Sequence, residues 1–354
     1  MMKDFLYQGM PSRVRFGRGT VSEVAAEVER LGCKRVLIVA SVPEQAEQIR
    51  SLVGSACVGV FAGAVMHTPV EVTETALAHV HRLGADGVVA LGGGSAIGLS
   101  KAIALHTDLP QLVIPTTYAG SEMTPILGQS ERGVKTTQRS AKVLPETVIY
   151  DVDLTFSLPL TMSVSSGINA MAHAVEALYA SDANPIIDTF AELGIAALFR
   201  SLPKLRDDLA DPEVRVEALY GSWLSAICLA STSMGLHHKL CHTLGGALNL
   251  PHAETHAVVL PHALAYNASK IDKAMSVMKR AMGGGDPAGR IYDIAKNSGV
   301  PVGLRELGMK ETDIDVVTSA VMAKPYPNPV PLDAQIIRRL IANAWGGTRP
   351  DHST

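Results

Sequence analysis

Cysteine is scarce in this chain. Its four cysteines, Cys33, Cys57, Cys228 and Cys241, are widely scattered with no CxxC pair, which argues against a disulfide framework and against a cysteine zinc site. Long apolar runs are also missing. No stretch of about 18 apolar residues occurs, and the opening MMKDFLYQGM holds no apolar core of signal-peptide length. The expectation is a cytoplasmic protein with no membrane partner. Nor is there a surplus of either charge. A formal net charge of -3 gives no reason to expect nucleic acid or an anionic membrane as partner. Internal repeats and low-complexity segments are absent as well.

What is present describes an ordinary globular protein. An apolar fraction of 47% beside 18% charged residues, spread over 354 positions, leaves room for two domains with a core each. The first half alternates. Residues 5–19 read as an opening strand and turn, and VSEVAAEVERLG as a helix closed by Gly32. KRVLIVAS (34–41) is a nearly continuous β-branched run, as in a strand covered on both faces of a parallel sheet. Helix, strand (57–63), helix (71–84) and strand (87–93) follow. This βαβα rhythm predicts a doubly wound, mainly parallel sheet.

GGGSAIG (92–98) sits where the fourth of these strands turns into the helix SAIGLSKAIAL. A glycine run is often only a tight turn. Between an apolar strand and a helix, however, Gly92, Gly93, Gly94 and Ser95 let the backbone approach a pyrophosphate, and the first helical amides donate to it. The next buried strand leads into QLVIPTTYAGSEMTP (111–125), where Thr116, Thr117, Tyr118 and Ser121 are candidates for a ribose or nicotinamide pocket, or simply a solvated turn.

After Pro159 the pattern becomes helical throughout, so the boundary is drawn there: 1–159 as an α/β nucleotide-binding domain and 160–354 as an all-α domain. The cleft between two such domains is a common place for a site, and would bring the 92–121 loops against the second half's histidines. The proline-rich stretch at 324–333 is expected to pack as a fixed loop.

Those histidines are concentrated in GLHHKLCHTLGGALNLPHAETHAVVLPH (235–262), which holds six of the chain's twelve, at 237, 238, 242, 252, 256 and 262. His238 and His242 share one helical face, the LGG and LP that follow are expected to break that helix, and His252 and His256 repeat the spacing. Any one alone is readily a satisfied helix histidine. Six within 28 residues point to chemistry, because imidazole binds metals, moves protons near neutral pH and, when charged, receives anions. Cys241, inside this stretch, is either a thiol at the site or a small apolar helix residue.

Together GGGS, PTT..GSE, the pattern x-A-x-x-H-x-x-E and, some 65 residues later, H-x3-H-x2-G...P-H resemble the iron-containing alcohol dehydrogenase family over nearly the whole chain. The resemblance implies a nucleotide-binding domain followed by a helical domain that holds one divalent metal. Its metal pattern falls on Asn169, His173, His238 and His252, with His242 lining the nicotinamide side. An aspartate is usual in the first place. Asn169, with HKLCHTLGG and LPHAETHAVVLPH, looks like the maleylacetate reductase branch, whose members reduce the carbon-carbon double bond of maleylacetate to 3-oxoadipate with NADH or NADPH in bacterial breakdown of aromatic compounds. Three imidazoles and an amide give a cation no anionic partner, so no metal is expected.

The substitution suits a dianionic substrate, which a carboxylate at 169 would repel and an amide can hydrogen-bond. His173, His238, His242 and His252 are expected to stabilise the enolate and supply the proton, His242 being the first choice of donor. Asn169 and Lys239 are candidate contacts to a carboxylate or the ketone. Ser41 follows VLIVA where strict NAD enzymes carry an acidic residue, so both cofactors are expected. PTTYAGSE is one residue shorter than the family's usual PTTAGTGSE. The resemblance also implies a homodimer. Other readings are a metal-dependent alcohol dehydrogenase with Asn169 as ligand, a dehydroquinate synthase-like lyase, and a nucleotide-binding scaffold that has lost catalysis.

Overall fold

The computed structural model describes residues 5–10, 12–131, 134–323 and 326–350. The chain divides into two compact units, one from Gly9 to Leu158 and one from Pro159 onward with which residues 5–8 are grouped. Met1–Asp4, Pro11 of the opening stretch, Lys324 and Pro325 of the proline-rich stretch and the last four residues lie outside the described residues.

The first unit is built on a six-stranded sheet. Its strands are β1 (Arg13–Gly17), β2 (Val36–Ala40), β3 (Cys57–Phe61), β4 (Gly87–Gly92), β5 (Gln111–Pro115) and, after a hairpin of β6 (Ile126–Glu131) and β7 (Val134–Arg139), β8 (Thr147–Asp151). Every pairing in the sheet is parallel. Each residue of β2, β4, β5 and β8 is buried, which is why these runs show no polar alternation. Helices α1 (Val24–Arg30), α2 (Pro43–Val53), α3 (Val70–Leu83) and α4 (Gly94–Thr107) make the connections. The expected first helix starts with a 3-10 turn over Thr20–Glu23, and Gly32, at φ 77°, ends it as expected. The 126–139 hairpin had no counterpart among the expectations. It buries Leu127 beside Ala102 and Val143.

Sheet order is β1-β8-β5-β4-β2-β3. The chain therefore runs outward from β2 to β3 and crosses back to β4, and ligands of such sheets bind at the carboxyl ends of the strands where the order reverses. Registers place Ala40 beside Leu91 and Gly92 beside Pro115, so Ser41, Gly93 and Thr116 emerge side by side.

The described residues of the second unit form helices and connecting segments only: α5 (Leu160–Ala177), α6 (Pro185–Ser201), α7 (Pro212–Ser231), α8 (Leu236–Leu248), α9 (His252–Asn267), α10 (Asp272–Ala281), α11 (Pro287–Asn297), α12 (Asp313–Met322) and α13 (Ala334–Gly346). α5 is the axis of the unit. Every residue from Ser163 to Ala177 is buried, and small side chains let neighbours close in: a Cβ on Gly167 would stand 2.5 Å from Leu202. α8 and α9 share a core through Leu236, Leu240, Leu244, Val258 and Val259, closed by Ile337 and Ile341 of α13.

One helix boundary differs from expectation. Leu244-Gly245-Gly246 does not break α8, which continues to Leu248 and stops at Asn249 in a left-handed conformation, φ 53°. Glycine inside a helix costs only about 1 kcal/mol, and the buried Leu244 holds that turn in the core. The stop comes from Asn249 and from Pro251, which caps α9. The described part of the proline-rich stretch is non-helical and fixed, since Asn328 and Asn267 exchange amide hydrogen bonds and the Tyr266 hydroxyl donates to the Pro331 carbonyl at 2.7 Å.

Candidate active site

At the β4–α4 turn, Gly92 lies at φ 140° and Gly93 caps a helix whose first amides have no side-chain acceptor. A Cβ on Gly93 would stand 2.9 Å from the Thr117 methyl, whereas around Gly94 the space is open. Thr116 donates its amide to the Gly92 carbonyl at 3.1 Å, locking the β5 loop to the glycine turn. Ser41 is exposed, Ser95, Thr116, Thr117 and Ser121 are half-buried, and Tyr118 is fully buried. The turn presents helix N-terminal amides beside open space at Gly94, which is the arrangement that receives a pyrophosphate.

Behind this loop lies a residue that sequence reasoning missed. Lys101 of α4 is fully buried and donates to the carbonyls of Ser121, Thr124 (2.7 Å) and Ile126 (2.9 Å) and to the Thr124 hydroxyl (2.9 Å). Burial pushes it down to about 7, against the attraction of Glu122. Glu122, itself buried and raised by that burial, accepts from the Tyr150 hydroxyl at 2.7 Å. A lone lysine within an apolar helix was the available signal.

In the helical unit α5, α8 and α9 bring the histidines together. His173 and His238 have ring centroids 5.0 Å apart, His238 and His256 5.1 Å, His252 and His256 4.3 Å, and His238 and His242 6.1 Å. The cluster has a dry base and a wet rim. His237 and His256 are wholly buried and His173 and His238 nearly so, while His242 and His252 are exposed. His237 Nε2 and His256 Nδ1 are paired at 2.9 Å, and burial, reinforced by His238 and His252 respectively among other histidines, holds both well below the ordinary imidazole range. They are neutral supports. His262 is also buried, and burial pushes it down to about 4.

Glu176, two turns beyond Asn169 on α5, ties the cluster to α8. Its carboxylate accepts the backbone amides of Gly235 and His237, each at 2.8 Å, and the His238 ring through Nδ1 at 2.7 Å. His238 Nε2 is in turn paired with His173 Nδ1 at 2.9 Å. Asn169, four residues before His173, is buried with an Oδ1 that has no hydrogen-bond partner among the described residues. Lys239 extends over the Tyr326 ring, 5.7 Å from its centroid.

Cys241 is buried, 3.8 Å from His237 Nε2. With His256 these residues bring three potential metal donors within 4.8 Å of one another, but the two imidazoles are already closed on each other. Burial, with Glu176 adding to it, keeps the thiol well above its usual range, so Cys241 is a small apolar helix residue rather than a reactive thiol. A cavity of about 470 Å³ in this unit has Glu176, Lys270 and Asn328 in its walls and none of the histidines. Among the described residues no helix is long and apolar enough to cross a membrane.

The family model of iron-containing alcohol dehydrogenase matches residues 11–152, and that of the C-terminal part of the Fe-containing alcohol dehydrogenase family matches residues 163–345. The chain belongs to the iron-containing alcohol dehydrogenase family. Within it, the chain is 51% identical over 352 residues to the maleylacetate reductase of Burkholderia cepacia, covering 99% of this chain and 100% of that protein. Among solved structures of the family it is similar to a putative alcohol dehydrogenase from Ralstonia eutropha JMP134 (51% identity, TM-score 0.97) and to the maleylacetate reductase of Agrobacterium tumefaciens (49%, TM-score 0.94), each match covering 99% of this chain and 100% of the other. An iron-containing alcohol dehydrogenase from Corynebacterium glutamicum is 42% identical, with a TM-score of 0.93.

Proposed function

We propose that this member of the iron-containing alcohol dehydrogenase family is an NAD(P)H-dependent reductase of maleylacetate that works without a metal. The observation that carries the reading is the donor set on α5 and α8, in which a neutral amide stands at 169 and both ring nitrogens of His238 are already hydrogen-bonded, so that the set offers a divalent cation no anionic ligand and no open nitrogen on His238. One ring nitrogen of His238 serves Glu176 and the other His173, so a cation bound by His238 would have to break one of these bonds. The names of relatives about half identical over full length support the same substrate.

In this reading the Gly9–Leu158 unit holds the nucleotide. Gly92, Gly93, Gly94 and Ser95 take the pyrophosphate, Thr116, Thr117, Tyr118 and Ser121 support the ribose and nicotinamide, and Ser41 admits either NADH or NADPH. A reduced nicotinamide held there would supply a hydride to the β-carbon of the enone, with the π electrons moving to the ketone oxygen. Asn169 and Lys239 hold a carboxylate or the ketone, and the imidazoles of His173, His238, His242 and His252 stabilise the enolate and return a proton to the α-carbon. The product is 3-oxoadipate. A homodimer in the cytoplasm is the form that the family resemblance supports.

The second reading, a metal-dependent alcohol dehydrogenase, is favoured by one observation: the Asn169 Oδ1 lacks a partner and so remains available as a ligand. Initial rates of NADH oxidation with freshly generated maleylacetate, on chelator-treated protein, separate the two. Fast turnover that added iron or zinc does not raise is the expected result. Turnover only after metal is restored, or on a simple aldehyde but not on maleylacetate, would return Asn169 to the ligands.

A further inference from the structure

We infer that Glu176 is the positioning residue of the histidine pocket: its carboxylate fixes the proton of His238 on Nδ1, and through His238 places the lone pair of His173 on Nε2. Direction along this chain follows from one fact. A carboxylate only accepts, so at 2.7 Å from Glu176 Oε2 the His238 Nδ1 must carry the hydrogen. Neutral His238 then has its lone pair on Nε2, and at 2.9 Å the His173 Nδ1 must donate to it. Neutral His173 then has its lone pair on Nε2.

The anchor is unusually well held. Both oxygens of Glu176 also accept backbone amides at the start of α8, Gly235 on Oε2 and His237 on Oε1, and its side chain is wholly buried, with the His238 side chain 6% exposed. Turning the carboxylate would unpair the first turn of the helix that carries His238, His242 and Lys239. The backbone thus locks the carboxylate, and the carboxylate locks two rings. The consequence rests on the reductase reading above: with Glu176 in place, both rings keep one orientation and one direction of hydrogen bonding where the enolate is to form.

Spectra of the full chain labelled with 15N-histidine, taken at mildly alkaline pH and assigned by the signals lost in His173→Asn and His238→Asn, read the tautomers directly. Both rings are expected to carry hydrogen on Nδ1 and the lone pair on Nε2. Hydrogen on Nε2 of either neutral ring would overturn the inference. Glu176→Gln and Glu176→Asp then test the role, because the new side chain either keeps an oxygen on His238 or turns a different group toward it. Tautomers and kcat on maleylacetate must move together, with a variant that reverses the rings losing roughly 10- to 100-fold in kcat at an unchanged KM for NADH. Reversed rings at full kcat, or lost kcat with the rings unchanged in a folded variant, would equally overturn it. If wild-type rings are as stated but maleylacetate is not reduced, the substrate reading fails and the tautomer assignment stands.

Discussion

Lys101 shows how a single residue shapes a site it does not face. An ammonium is costly to bury unless oxygens surround it, and here carbonyls and a hydroxyl of the 121–126 segment do so. The segment is thereby drawn onto α4. Lys101→Met withdraws that donor from the Thr124 and Ile126 carbonyls, whereas the Ser121 carbonyl keeps the Thr124 amide and hydroxyl, and the cost is about 1–3 kcal/mol for each carbonyl left without a donor. The expected outcome is a lower melting temperature and a several-fold higher KM for NADH, with kcat at saturating NADH nearly unchanged. Thermal unfolding and steady-state kinetics check both, and an unchanged KM would mean that the loop does not serve the nucleotide. Residue types at the histidine cluster were readable from spacing. What spacing could not give was the division of labour, since His237 and His256 became buried supports and His242 and His252 the rim only when α5, α8 and α9 packed.

At the scale of elements, the β4–α4 turn carries the sharpest contrast. Gly93 and Gly94 are adjacent, yet a methyl on the first meets Thr117 at 2.9 Å and a methyl on the second meets nothing. Gly93→Ala is therefore expected to push the Thr117 loop away and destabilise the fold by about 1–2 kcal/mol. Gly94→Ala, at the first position of a helix, is expected to stabilise it by as much as about 1 kcal/mol. Both should weaken NADH binding, the second because the open space before Gly94 is where the pyrophosphate is expected. Fluorescence titration with NADH beside thermal melts measures the pair, and a Gly94→Ala protein that binds NADH as tightly as wild type would move the phosphates elsewhere. Strands β2, β4, β5 and β8 were legible because burial on both faces leaves an unbroken apolar run. The β6–β7 hairpin was not, because its residues ILGQSE and VKTTQR alternate weakly and, outside the six-stranded sheet, its strands have each other and a single bridge from Ser130 to Pro69.

Across the whole molecule, the buried imidazoles set the response to acid. His237, His256 and His262 are all held below the ordinary value of 6.5, His262 at about 4. The unfolded chain therefore binds these protons first as the pH falls. Stability from these groups is complete above about pH 6.5 and is lost on the way down toward 4. For His262 alone the fall is worth about 3 kcal/mol. Acid unfolding followed by circular dichroism should be steep below pH 6, and His262→Leu should move its midpoint to lower pH. A midpoint that stays in place would mean that His262 is protonated in the folded protein.

The sequence by itself determined the parallel α/β half, the helical half, the glycine turn and the family, because periodicity and turn chemistry are local and motif spacing is preserved along the chain. It also placed Asn169, His173, His238, His242 and His252 among the candidates. Only the tertiary structure decided that α8 runs through Gly245 and Gly246, that Lys101 stands under the 121–126 loop, and that Glu176 reaches both the start of α8 and the His238 ring. The Lys101 and Glu176 contacts join residues 20 to 62 positions apart. Their existence depends on which faces pack, and a pattern of residue types along one chain does not carry that information.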